Sequence, residues 1–184
     1  MDSTIEELHK DHKNIAKLLN LLKIQTEHLQ AGDHVDSLQM TNIMNYFINY
    51  PDIYHHPNEE FIFDYLKQRD INTADLIDEI NSDHQTMASA AIEIQDEVRL
   101  IMCDAVFSRE NLADKLNHYI SAYFSHIDIE ENELFPLVEK ILDDEDWQFI
   151  HAEIKREDDP LFGEKLNNEY EELYKAILNS VDET

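Results

Sequence analysis

One cysteine, two glycines, four prolines and one tryptophan occur among 184 residues. A single cysteine, Cys103, excludes an internal disulfide and suits a reducing compartment. So few glycines and prolines leave too few turn residues for a sandwich or hairpin fold, which points to an all-α chain. Basic residues are also scarce: 14 against 41 acidic ones, for a net charge of −27. Nucleic acid and an anionic membrane surface would be repelled, so neither is expected as a partner, whereas cations are natural guests. No apolar run of ~18 residues occurs. The opening MDSTIEELHKDHK lacks the apolar stretch of a signal peptide, so the cytoplasm is the expected location.

What the chain does have is apolar residues at helical spacing, with 42% of its residues hydrophobic. From Ser3 to Leu29, residues Ile5, Leu8, His12, Ile15, Leu19 and Leu22 share one face. Ser3 with Glu6 reads as a capping box. A second segment runs from Ser37 to Leu66, with Met44, Phe47, His55, Glu59 and Ile62 on its stripe. Pro51 and Pro57 should bend or locally unwind it. Thr73 is the expected cap of a third segment, Ala74 to Met102, whose stripe contains Ile77, Ile80, His84, Met87 and Ile94. A fourth follows Ser108, with Leu112, Leu116, Tyr119, Tyr123, His126, Glu130 and Leu134 on one face. Short connections between four long helices predict an antiparallel up-down-up-down four-helix bundle over residues 1–142. Residues 143–184 are expected to form an extra C-terminal helical segment, split near DDPLFG and packed on the bundle. Its Trp147 and later aromatics cover the bundle or build a homodimer face.

Each stripe is interrupted by something polar: His12, the His55/Glu59 pair, His84, and the His126/Glu130 pair. An isolated buried carboxylate costs several kcal/mol unless it is paired or bound to metal. At ~1.5 Å per residue, these groups lie roughly 14, 15, 16 and 20 Å from one common end of an antiparallel bundle. They therefore fall in one layer. Four imidazoles and two carboxylates are a ligand set suited to iron, manganese or zinc, and the two carboxylates favour two bridged ions. Without a thiolate, a structural zinc knuckle is disfavoured. Glu60 and Glu131, next to the layer glutamates, are read as solvated or as orienting the histidines. His9 lies off the apolar stripe, so His12 is preferred.

The stretches LHKDHKNI, HHPNEEFIF, NSDHQTM and HIDIEENELFP, in this order over residues 5–140, resemble the hemerythrin family and its bacterial HHE cation-binding domains. That resemblance implies a four-helix bundle around an oxo- or hydroxo-bridged pair of iron ions. It also implies a small ligand: oxygen, nitric oxide or peroxide. Two other readings stay open, a di-iron enzyme of peroxidase or nitric oxide reductase type and an iron-sensing interaction module. The chain departs from the oxygen carriers in two places. They have a second histidine four residues after the one on the third helix, where this chain has Ala88. Their fourth-helix spacing is one residue longer than His126 to Glu130. His56, beside His55, can lean in as a replacement ligand.

Overall fold

A computed structural model describes residues 2–103 and 105–181; Met1, at the start of the expected bundle, Asp104, and residues 182–184, at the end of the expected extension, lie outside it. Among the described residues every regular element is helical. The first rod is α1 (Ser3–Ala31). Asp2 rather than Ser3 caps it, its carboxylate accepting from the Thr4 amide at 2.8 Å. Asp2 is reached first because its backbone is extended while Ser3 is already helical. At the other end Gly32 takes the left-handed conformation (φ 81°) and donates to the His28 and Leu29 carbonyls.

The second rod comprises α2 (Ser37–Asn49), one π-helical turn (Pro51–His55) and α3 (His56–Arg69). Asp36 caps it through the Gln39 amide at 2.9 Å. The third is α4 (Ala74–Met102), which follows a tight turn at Ile71–Thr73. Thr73 does not cap α4: its hydroxyl donates back to the Asp70 carbonyl at 2.7 Å. The fourth rod is α5 (Arg109–Ile129), a second π turn (Glu130–Leu134) and α6 (Phe135–Ile141). Ser108 caps α5, its hydroxyl accepting from the Asn111 amide at 3.2 Å. The four rods form an all-α bundle running up, down, up and down.

The apolar core is in two parts. One contains Ile15, Leu19, Met44, Phe47, Met87, Ile94, Leu116, Tyr119 and Tyr123. The other contains Ile5, Leu8, Ile62, Phe63, Ile77, Ile80, Leu134, Phe135 and Val138. His12 and His84 fall between the two parts in sequence, so a polar layer separates them. Helix α7 (Asp144–Glu153) packs Trp147 and Ile150 on the second part, held by a capping box between Asp143 and Asp146. Helix α8 (Glu171–Val181) packs Leu173 and Ile177 on the first. Between them, residues 154–167 cross the bundle mostly as irregular chain.

Candidate metal centre

The two π turns lie at the polar layer. Pro57 has no amide to give the Ile53 carbonyl, and the helix widens just before it, so the His56 amide bonds the Pro51 carbonyl five residues back. Pro136 has the same effect in the fourth rod, where the Phe135 amide bonds Glu130. The extra residue in the first turn lets two consecutive side chains, His55 and His56, both point inward; they are 2% and 3% exposed.

Seven buried side chains meet in the layer: His12, His55, His56, Glu59, His84, His126 and Glu130. The carboxylates of Glu59 and Glu130 have no exposed surface and lie at its centre. Glu59 places Oε1 3.2 Å from His12 Nε2, and Oε2 3.3 Å from His55 Nε2 and 3.7 Å from His84 Nε2. Glu130 places Oε2 3.4 Å from His12 Nε2, and Oε1 3.4 Å from His84 Nε2 and 3.2 Å from His126 Nε2. Each carboxylate therefore reaches both sides of the layer. Donor atoms converge in three sets: His12, His55 and Glu59; His56, His84 and His126; and Glu59, His84 and Glu130, each within 4.8 Å of one another.

These atoms approach each other without bonding. All four carboxylate oxygens, together with Nε2 of His12, His84 and His126, lack a hydrogen-bond partner. Leaving a buried polar atom unmet costs about 1–3 kcal/mol, and here seven such atoms surround one space. Lone pairs that point at a common space rather than at protons fit a bound cation. A mixed imidazole and carboxylate set of this kind suits a transition metal.

Carboxylates face the outer edge of every layer histidine. Glu131 holds His12 Nδ1 at 2.7 Å, Asp11 holds His55 at 3.3 Å, and Glu60 holds His84 at 3.2 Å. Asp52 stands 3.2 Å from His56, and Asp83 stands farther from His126, at 3.8 Å. An outer acceptor on Nδ1 fixes the tautomer and leaves the Nε2 lone pair facing inward. Except for Asp52, each carboxylate sits beside a layer residue in sequence and reaches the next rod. These contacts run from rod four to one, one to two, two to three and three to four, a closed circuit. The sequence signal was the doublets Asp11-His12, Glu59-Glu60, Asp83-His84 and Glu130-Glu131. Adjacent residues lie ~100° apart on a helix, so one enters the layer while its neighbour faces the next rod.

The charges follow this geometry. Burial opposes charge on His12, but the Glu130, Glu131 and Glu59 carboxylates outweigh it and raise its pKa well above the ordinary imidazole value. His84 behaves likewise, with burial opposed by Glu130, Glu60 and Glu59, and reaches about 9. Burial, then the neighbouring His84, His55 and His126, hold His56 well below the usual range, so it stays neutral. Glu130 is kept well below the carboxylate range against burial, chiefly by His126, His12 and His84.

All six residues singled out from the sequence lie in this layer, and His56 joins them. Ala88 is half-buried and has no donor atom, whereas His56 stacks on His84 with ring centroids 4.3 Å apart. His9 is outside the layer, bonded to Glu131 at 2.6 Å. The buried Tyr123 hydroxyl lies 3.1 Å from His56 Nε2. No described helix is long and apolar enough to cross a membrane.

Residues 3–138 match the family model of the Hemerythrin HHE cation binding domain. No curated protein and no solved structure matches the chain.

Proposed function

The chain belongs to the hemerythrin HHE cation-binding family, and from that premise we propose that its buried layer holds two iron ions and binds a small diatomic or peroxide ligand. The observation that supports it most is the set of unbonded inward atoms at Glu59 and Glu130, which reach both sides of the layer. His12 and His55 would hold one ion and His56, His84 and His126 the other, with the Glu59 and Glu130 carboxylates within reach of both sides of the layer. Imidazole with carboxylate is a combination that binds iron well, and a single ion would leave half of these donors unmet. Bound iron supplies the electrons with which a diatomic or peroxide ligand is held or reduced.

The protein's own residues do the rest. The side with two histidines offers one nitrogen fewer than the other, so an exogenous ligand would be expected to bind there. Tyr123 packs against His56 on one side of the layer and Phe135 stacks on His12 on the other, ring centroids 5.9 and 5.4 Å apart. With metal bound, Glu131, Asp11 and Glu60 would accept from Nδ1 of His12, His55 and His84 and so leave their Nε2 atoms for the ions.

The test is anaerobic loading with ferrous iron, followed by elemental analysis and visible spectroscopy with and without peroxide or azide. Two irons per chain and ligand-dependent visible bands are expected. One iron or none at saturation would overturn the di-iron reading.

A further inference from the structure

A cleft of about 310 Å³ lies between α1, the α2–α3 junction and the C-terminal segment 154–163. Its floor includes Asp11, Tyr50, Tyr54 and His55. Asp11 is bonded to His55 Nδ1 at 3.3 Å, so the cleft ends one side chain from the metal layer, on its two-histidine side. Its far wall is the stretch Ile154–Asp159, which lies beyond the residues that match the family.

That wall is fastened unequally at its two ends. At Asp159 the attachment is buried: the carboxylate accepts from the Tyr46 hydroxyl at 2.9 Å and from the Leu161 and Phe162 amides at 2.8 and 2.9 Å. Leu161 continues into the apolar core. Gly163 closes the turn, because a Cβ there would collide with the Asp158 carboxylate. At Lys155 the attachment is exposed: the Asn58 amide donates to the Lys155 carbonyl at 2.8 Å and accepts from its amide at 3.1 Å. Lys155 to Asp158 are all exposed. Exposed polar contacts release more readily than buried ones, so the Asn58 end is the weaker of the two attachments.

We propose that residues 155–158 are a door over the way by which the metal ion reaches His55 and His12, hinged at Asp159 and latched by Asn58. This rests on the reading of the layer as a metal centre. The occupant is a divalent cation. The cleft is lined by polar and charged groups and ends on an imidazole of the layer, which suits an aquated ion and is not needed by a neutral diatomic.

Cobalt(II), whose visible bands report its coordination, is mixed with the metal-free full chain in a stopped-flow instrument. Asn58→Ala removes two hydrogen bonds from the latch and should speed loading roughly tenfold, with unchanged final stoichiometry and helix content. Tyr46→Phe loosens the hinge and should also load faster, with greater hydrogen exchange confined to residues 154–163. Loading within twofold of wild type in both variants, at full stoichiometry, would overturn the door and leave the metal centre standing. A wild-type chain that binds no cobalt would overturn the metal reading, and the door with it. Slower loading in Asn58→Ala would also overturn the door, since Asn58 would then be helping the ion inward.

Discussion

Removing the metal should destabilise the bundle by an amount that follows from the layer itself. Glu59 and Glu130 are 0% exposed, and none of their four carboxylate oxygens has a hydrogen-bond partner. Without a cation, these charges are offset by the layer histidines, with His12 and His84 both raised by the same carboxylates. That remedy leaves the oxygens poorly bonded and still removed from water. With metal about a thousandfold above its dissociation constant, mass action contributes about 4 kcal/mol to the folded state. A domain of this size shifts by about 2–4 °C per kcal/mol, so the metal-free protein should melt roughly 8–16 °C below the loaded one. Circular dichroism melts with and without chelator measure this directly. Glu59→Gln removes a donor to both sides, so its melting temperature should gain only a small part of that increment from metal. Coincident curves for the wild type, or a full increment in Glu59→Gln, would refute the reasoning.

Three further outcomes are expected. Glu59→Ala and Glu130→Ala should each lower bound metal well below the wild-type stoichiometry, whereas Glu60→Ala and Glu131→Ala should keep it at saturation and weaken affinity about 10–100-fold, measured by competition with a chelator. His12→Ala should lose metal and His9→Ala retain it, because only His12 lies in the layer; elemental analysis of the purified variants decides. The third concerns Asp159, whose pKa is raised by burial, only partly offset by the Phe162 and Leu161 amides and Tyr46. A carboxyl with a raised folded-state pKa binds more protons when folded, so its contribution to stability falls as pH climbs from the ordinary aspartate value through the raised one. Urea unfolding of the metal-free protein should therefore show Asp159→Asn gaining on the wild type as pH rises above about 4, where the free aspartate of the unfolded chain ionises. A constant difference across that range would contradict the assignment.

The bundle was legible because an apolar stripe of helical period leaves little choice of partner. Ile5, Leu8, Ile15 and Leu19 need a common apolar surface, and His12 interrupts them at one depth. The same rule explains why His84 and the two His/Glu pairs could be singled out. His56 was harder. In a regular helix the residue after His55 turns ~100° away from the layer, and only the π turn ahead of Pro57 brings both inward. Pro51 and Pro57 signalled that something breaks there, but not which way the helix would adjust. The first helix shows the limit of capping patterns: Ser3 and Glu6 fit a capping box, yet Asp2 was one residue earlier and took the position. Asp11, Asp52 and Asp83 were missed because a surface acid beside a histidine looks like any solvated residue until the neighbouring rod is in place.

The circuit of outer carboxylates has a handedness. In α1 and α4, which run one way, the carboxylate precedes its layer histidine, as in Asp11-His12 and Asp83-His84. In the second and fourth rods, which run the other way, it follows its layer glutamate, as in Glu59-Glu60 and Glu130-Glu131. A step backward on an ascending helix and a step forward on a descending one rotate the side chain in the same sense. All four carboxylates consequently reach round the bundle in one direction. The same helices wound into the mirror arrangement would aim each of these acids at the wrong neighbour and leave four imidazoles without their outer partners. The order of two letters in each doublet thus distinguishes the native winding from its mirror image, a choice to which the apolar stripes alone are nearly blind.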